Sequence, residues 1–158
     1  MKMLTRHLDL FASLNRANIE YLLVGGVVAI AYGVPRTTQD IDILINPTEK
    51  NAKRLLEVLI ELRFGTASLI SARELLKHEI VLFQDYFRLD VLTRLKKFEF
   101  KDVYPKRSTI QVGKDIFIPI LSLDDLLAEK RSVIRDKDVQ DISVLGGLVR
   151  KKSRSKKK

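Results

Sequence analysis

Two periods of apolar residues alternate along this chain. Leu4, Leu8, Phe11 and Leu14 recur at helical spacing and predict an amphipathic helix over residues 4–15. A strand over 20–24 runs into Gly25-Gly26, and an apolar helix over 27–32 is stopped by Gly33 and Pro35. The polar loop 36–39 leads into a second strand over 40–45, and a helix over 48–62 turns Leu55, Leu56, Leu59 and Leu62 inward. Residues 64–70 read either as a strand or as an irregular passage, and Ser71 with Glu74 forms a capping box for a short helix. Strands over 78–83 and 87–92 flank 84–86 as a hairpin, and a short helix is expected over 95–101. A second hairpin pairs 109–112 with 116–118 across Gly113-Lys114. Two helices fill 122–149: Ser122 and Asp125 cap the first, Asp136 caps the second, and Gly146-Gly147 frays its end. Strands interleaved with helices in this way give an α/β (α+β) fold, a mixed central sheet flanked by helices.

The acids on these strands change the picture. Alternation puts Asp40 and Asp42 on one face of their strand and Ile41, Ile43 and Ile45 on the other. Their Cα atoms are then roughly 6.5 Å apart, within reach of a shared cation. The strand over 87–92 repeats the pattern, with Arg88 and Asp90 opposite Leu89 and Val91, which makes Asp90 the candidate third carboxylate. Its bland alternative is an exposed aspartate paired with Arg88, and Glu79 is the fallback acid. Aspartate is disfavoured at strand centres, so three of them ask for a reason. Gly25-Gly26 lets a backbone approach a ligand closely and opens a helix towards phosphate. Arg36 is either a partner for one of the aspartates or a phosphate contact, since its fork suits phosphate oxygens. Lys130, Arg135 and Lys137 read either as solvated helix charges or as groups pointing at the acids.

Composition then limits the chemistry. With 158 residues, 46% of them hydrophobic, the chain supports one folded domain over 1–149. The formal charge of +9 is concentrated in RKKSRSKKK, residues 150–158, which reads as a disordered basic tail. Without it the body carries 22 basic against 20 acidic residues. No apolar run reaches the roughly 20 residues of a membrane helix, and the N-terminus lacks a signal-peptide core, so a soluble cytoplasmic protein is expected. Cysteine is absent and there are only two histidines, so any metal would have oxygen ligands, favouring Mg2+ or Mn2+.

Together these motifs resemble the nucleotidyltransferase superfamily of the DNA polymerase beta type. Val24-Gly25-Gly26, thirteen residues, Asp40-Ile41-Asp42 and the later Leu89-Asp90-Val91 match its signature in order, type and spacing. The loop Tyr32-Gly33 followed by Arg36-x-Thr38-x-Asp40, and the series Lys130, Arg135, Lys137-Asp138-Val139-Gln140-Asp141, are most similar to its minimal and abortive-infection toxin-like branches.

That resemblance implies a nucleotidyltransferase-like fold. It also implies an enzyme that transfers a nucleoside monophosphate from a nucleoside triphosphate to a hydroxyl on RNA, protein or a small molecule. Asp40, Asp42 and Asp90 would be the catalytic metal ligands, with Gly25, Gly26, Arg36 and Lys130 on the phosphates and Thr38 ordering the loop. Many members act with a partner subunit or antitoxin, and so small a domain could also pair with a second copy. The competing expectation is a binding module that keeps the acids without the chemistry. A metal-dependent hydrolase fits less well because histidines are scarce.

Overall fold

The computed structural model describes Leu4 and residues 7–156; residues 1–3, residues 5–6 of the expected first helix and residues 157–158 of the tail lie outside this range. Helix α1 spans Leu8–Arg16 and buries Leu10, Phe11 and Leu14. Strand β1 (Tyr21–Val24) is buried along its whole length, and the turn after it leads into α2 (Gly26–Ala31). Strand β2 (Ile41–Ile45) leaves only Asp42 partly open, so Asp40 lies one residue ahead of the strand itself.

Helix α3 (Glu49–Glu61) starts where Thr48 accepts the Asn51 N–H at 3.2 Å. The buried Asn51 side chain accepts from the Glu20 N–H and donates to the Glu20 and Asn46 carbonyls, tying the helix start to the ends of β1 and β2. Residues 64–70 form neither strand nor loop but a 3₁₀ turn over Gly65–Leu69. Helix α4 (Ala72–Leu76) is capped by Ser71, whose hydroxyl accepts the Glu74 N–H as the capping box requires. Strands β3 (Ile80–Gln84) and β4 (Arg88–Leu92) form the expected hairpin.

The helix expected over 95–101 is absent. Leu95 and Phe98 exchange backbone hydrogen bonds of 3.0 and 2.8 Å around Lys96, which has φ +55°, and α5 occupies only Phe100–Val103. The Lys96 ammonium holds this turn in place, reaching the Glu129 carboxylate at 3.1 Å and the backbone carbonyls of Glu129 and Val133. Strands β5 (Ser108–Val112) and β6 (Ile116–Ile120) form the second hairpin.

Ser122 caps α6 (Leu123–Ser132) by accepting the Asp125 N–H. The last helix, α7, spans Asp138–Lys156. The acid that orders its entry is Asp138, which accepts the Arg135 N–H at 3.0 Å, where the sequence suggested Asp136. Gly146-Gly147 does not end it, and residues 150–156 continue the helix instead of leaving it as a tail. Gly146 serves close packing: a Cβ on it would lie 3.3 Å from an Arg131 guanidinium nitrogen on the facing α6.

The six strands form one mixed sheet in the order β3-β4-β2-β1-β6-β5, with β1/β6 and β2/β4 parallel and the other pairs antiparallel. The sequence-adjacent hairpins thus become the two wings, and β2 and β1 sit at the centre. This order brings the two acid-bearing strands together, although 47 residues separate Asp42 from Asp90. Among the described residues no helix is long and apolar enough to cross a membrane.

Candidate active site

Strand pairing builds the site. In the parallel β2/β4 ladder Asp42 stands directly beside Asp90, and in the antiparallel β1/β2 ladder it faces Val24, the residue before the diglycine turn. Residues opposite each other in a ladder project to the same face, so both carboxylates and the turn meet at one place. The apolar neighbours Ile41, Ile43, Leu89 and Val91 are buried on the opposite face.

Close approach demands glycine at 25 and leaves little room at 26. Gly25 has φ +79°, and a Cβ there would overlap Asp42 Oδ2 and stand 3.0 Å from its Cγ. A Cβ on Gly26 would lie 2.8 Å from Arg36 Nη2 and 3.5 Å from Thr38 Cβ. The turn is thus packed between the Asp42 carboxylate and the 36–38 loop. Gly25→Ala is expected to cost at least about 1 kcal/mol for its backbone conformation, with the collision added to that. Because it displaces Asp42, activity should fall further than a thermal melt of the same variant suggests.

Burial first, and then the neighbouring Asp90 and Asp40 charges, push the Asp42 carboxyl up to about 7. Asp90 is nearly buried and grips Arg88 with both oxygens, at 2.9 Å to Nε and 3.1 Å to Nη2. The two readings of Asp90 therefore coexist: it pairs with Arg88 on its own strand and it also faces Asp42. Among the described residues no three acids or histidines form a ready-made metal cluster. The donors still suit a hard divalent cation in type. They are all carboxylate oxygens, two are adjacent across a ladder, and their mutual repulsion is what a cation would relieve. Asp90 would share or release Arg88 to take part.

For Arg36 and Lys130 the plainer of the two expected readings fails. Arg36 pairs with neither Asp40 nor Asp42; its Nη2 is 3.1 Å from Asp141 Oδ2 on α7. Lys130 is no solvated helix charge. It is 2% exposed, and its ammonium lies 2.9 Å from Asp141 and 3.4 Å from Asp138. Asp138 also binds Arg135 through two guanidinium nitrogens and the backbone N–H. Burial alone would raise the Asp138 carboxyl, but Arg135 and Lys130 outweigh it and bring it down to about 2.

These groups line a cleft of ≈ 370 Å³ bounded by Gly25, Gly26, Arg36, Thr38, Asp40, Asp42, Asp90 and Lys130. Every residue picked from the sequence thus borders one cavity. Arg94 and Lys96, which sequence reasoning passed over, also line it, as do Glu79 and Glu129. A signal for the first two was present: 88, 90, 94 and 96 keep the strand's period of two beyond its end. Five acids and seven bases surround the space, an acidic floor under a basic wall. That arrangement can hold a polyanion together with a cation.

Comparison with known proteins bears on the fold and the family. A search of curated proteins finds no match. Among solved structures, an antigenic nucleotidyltransferase-like protein from Paracoccidioides brasiliensis is similar in fold, with a TM-score of 0.59 at 18% identity, covering 93% of this chain and 77% of that one. The architecture is therefore nucleotidyltransferase-like, as the motifs implied. A family model described as "Nucleotidyltransferase of unknown function (DUF6036)" matches residues 1–149, and the chain belongs to that family.

Proposed function

We propose that the cleft is the centre of a divalent-metal-dependent nucleotidyltransferase, transferring a nucleoside monophosphate from a nucleoside triphosphate to a hydroxyl on RNA, protein or a small molecule. The supporting observation is the ladder neighbourhood of Asp42 and Asp90 against the Gly25 turn. Asp40, Asp42 and Asp90 are the residues that hold magnesium or manganese. When bound, such a cation neutralises phosphate charge and lowers the pKa of a hydroxyl.

The chain's own residues do the rest. The Gly25-Gly26 backbone lies against the phosphates, Arg36 faces them, and Thr38 orders the loop. Lys130, engaged by two carboxylates, contributes its charge from behind, while the exposed Arg94 and Lys137 on the cleft wall make the contacts. Asp90 takes the proton from the acceptor hydroxyl. The hydroxyl oxygen bonds to the α-phosphorus, the bond to the β-phosphate breaks, and pyrophosphate leaves into the basic wall.

The acceptor enters through a second cleft, of ≈ 500 Å³, which shares Thr38, Asp40 and Arg88 with the first. A partner subunit, antitoxin-like or a second copy, completes the walls of so small a domain. Triphosphate and magnesium supply assign the reaction to the cytoplasm.

One observation favours a second reading, a non-catalytic binding module: Arg88 already occupies both oxygens of Asp90, as a permanent counter-ion would. Incubation with each labelled triphosphate, magnesium and a mixed tRNA and protein pool separates the two. Transfer of label from at least one triphosphate is expected. Retention of RNA with no label moved from any of the four would give the binding module the better claim.

A further inference from the structure

Asp138 and Asp141 of α7 are the part of the Lys130, Asp138, Asp141 series that the catalytic reading leaves without a task. We propose that Asp141 is a positioning residue, a buried anion that holds Arg36 across the Gly25-Gly26 turn and so sets the triphosphate-binding face from behind.

Three contacts carry this inference. Asp141 is fully buried, and its Oδ2 serves both Lys130 at 2.9 Å and Arg36 at 3.1 Å. The Arg36 nitrogen it holds, Nη2, is the atom that a Gly26 Cβ would approach to 2.8 Å. Arg36 nevertheless borders the cleft and keeps a quarter of its side chain exposed. One guanidinium is therefore fixed from behind by α7, packed against the turn and open to the ligand in front.

A fixed fork loses less entropy on meeting phosphate than a free one, so the anchor raises affinity without touching ligand. Asp138 gives the internal contrast. It shares Lys130 with Asp141 but pairs with Arg135 in place of Arg36. Losing either acid disturbs the same buried ion cluster, and only one of them controls Arg36.

This inference rests on the triphosphate reading of the cleft. Its test is isothermal titration of the full-length protein, in magnesium, with α,β-methylene analogues of the four common triphosphates. Asp141→Asn is expected to weaken the best analogue at least tenfold, and Asp138→Asn less than threefold despite a comparable drop in melting temperature. In an Arg36→Gln background, Asp141→Asn should add little more.

Equal losses from the two aspartate variants, or full additivity with Arg36→Gln, would overturn the positioning role. If Asp141→Asn does not fold, Asp141→Glu keeps the charge for Lys130 but shifts the anchor by one methylene. A loss of threefold or more supports the role, and wild-type affinity refutes it. Wild-type protein that binds none of the analogues would remove the triphosphate reading itself, and this inference with it.

Discussion

Asp42→Asn is expected to abolish nucleotide transfer while leaving the metal-free protein as heat-stable as wild type, or more so. The reason is the carboxyl's position between Asp90, its ladder neighbour, and Gly25, whose turn walls it in. Burial and the two neighbouring acids hold its folded-state pKa near 7, above the ordinary 3.8. An acid whose pKa rises on folding binds its proton more tightly in the native state, so wild-type stability falls as pH climbs from about 4 to about 7.

Asparagine carries no charge to be lost and still offers an amide to Asp90. Its advantage should be absent near pH 4 and reach its full size, on the order of a few kcal/mol, by pH 8. Melting curves across this range check the sign. Magnesium with a triphosphate should raise the wild-type midpoint and leave the variant's unmoved. A large loss of stability in the metal-free variant would mean instead that Asp42 has a structural partner that depends on its charge.

The second large effect is on folding. Lys130→Met should destabilise the protein by about 3–5 kcal/mol, because it strands Asp138 and Asp141 in the interior with one cation fewer. For a domain of this size that lowers the melting temperature by roughly 10 °C or more. A lysine whose only task was to touch phosphate from solvent would cost almost nothing when replaced. Chemical denaturation of the variant distinguishes the two, and a loss below about 1 kcal/mol would contradict the buried ion cluster described here.

The contrast between Asp42 and Lys130 shows what the sequence made legible. Asp42, Asp90 and Gly25 were readable because period-two alternation fixes which way a strand side chain points and a diglycine fixes where a strand stops. The strand order was not readable from that pattern, since nothing local says that β4 inserts beside β2 and sends β3 to the edge. It was the recurring family signature, and not the alternation, that anticipated their meeting.

Lys130 was left open for a related reason. A lysine followed by arginine on a helix looks exposed until its two partners are known, and those lie eight and eleven residues further on in another helix. The same blindness to partners hid the 95–98 turn, which its own Lys96 ties to Glu129. It also gave Gly146-Gly147 the look of a helix end, where Gly146 makes room for Arg131.

The most direct test of the transferase centre is manganese binding followed by paramagnetic resonance, with and without a nucleoside triphosphate. Wild-type protein plus triphosphate should remove free Mn2+ from solution beyond what the nucleotide removes alone, and Asp42→Asn and Asp90→Asn should each cancel that excess. If wild-type protein takes up no excess ion with any of the four triphosphates, the acids beside the glycine turn are not a metal site and the central claim is wrong.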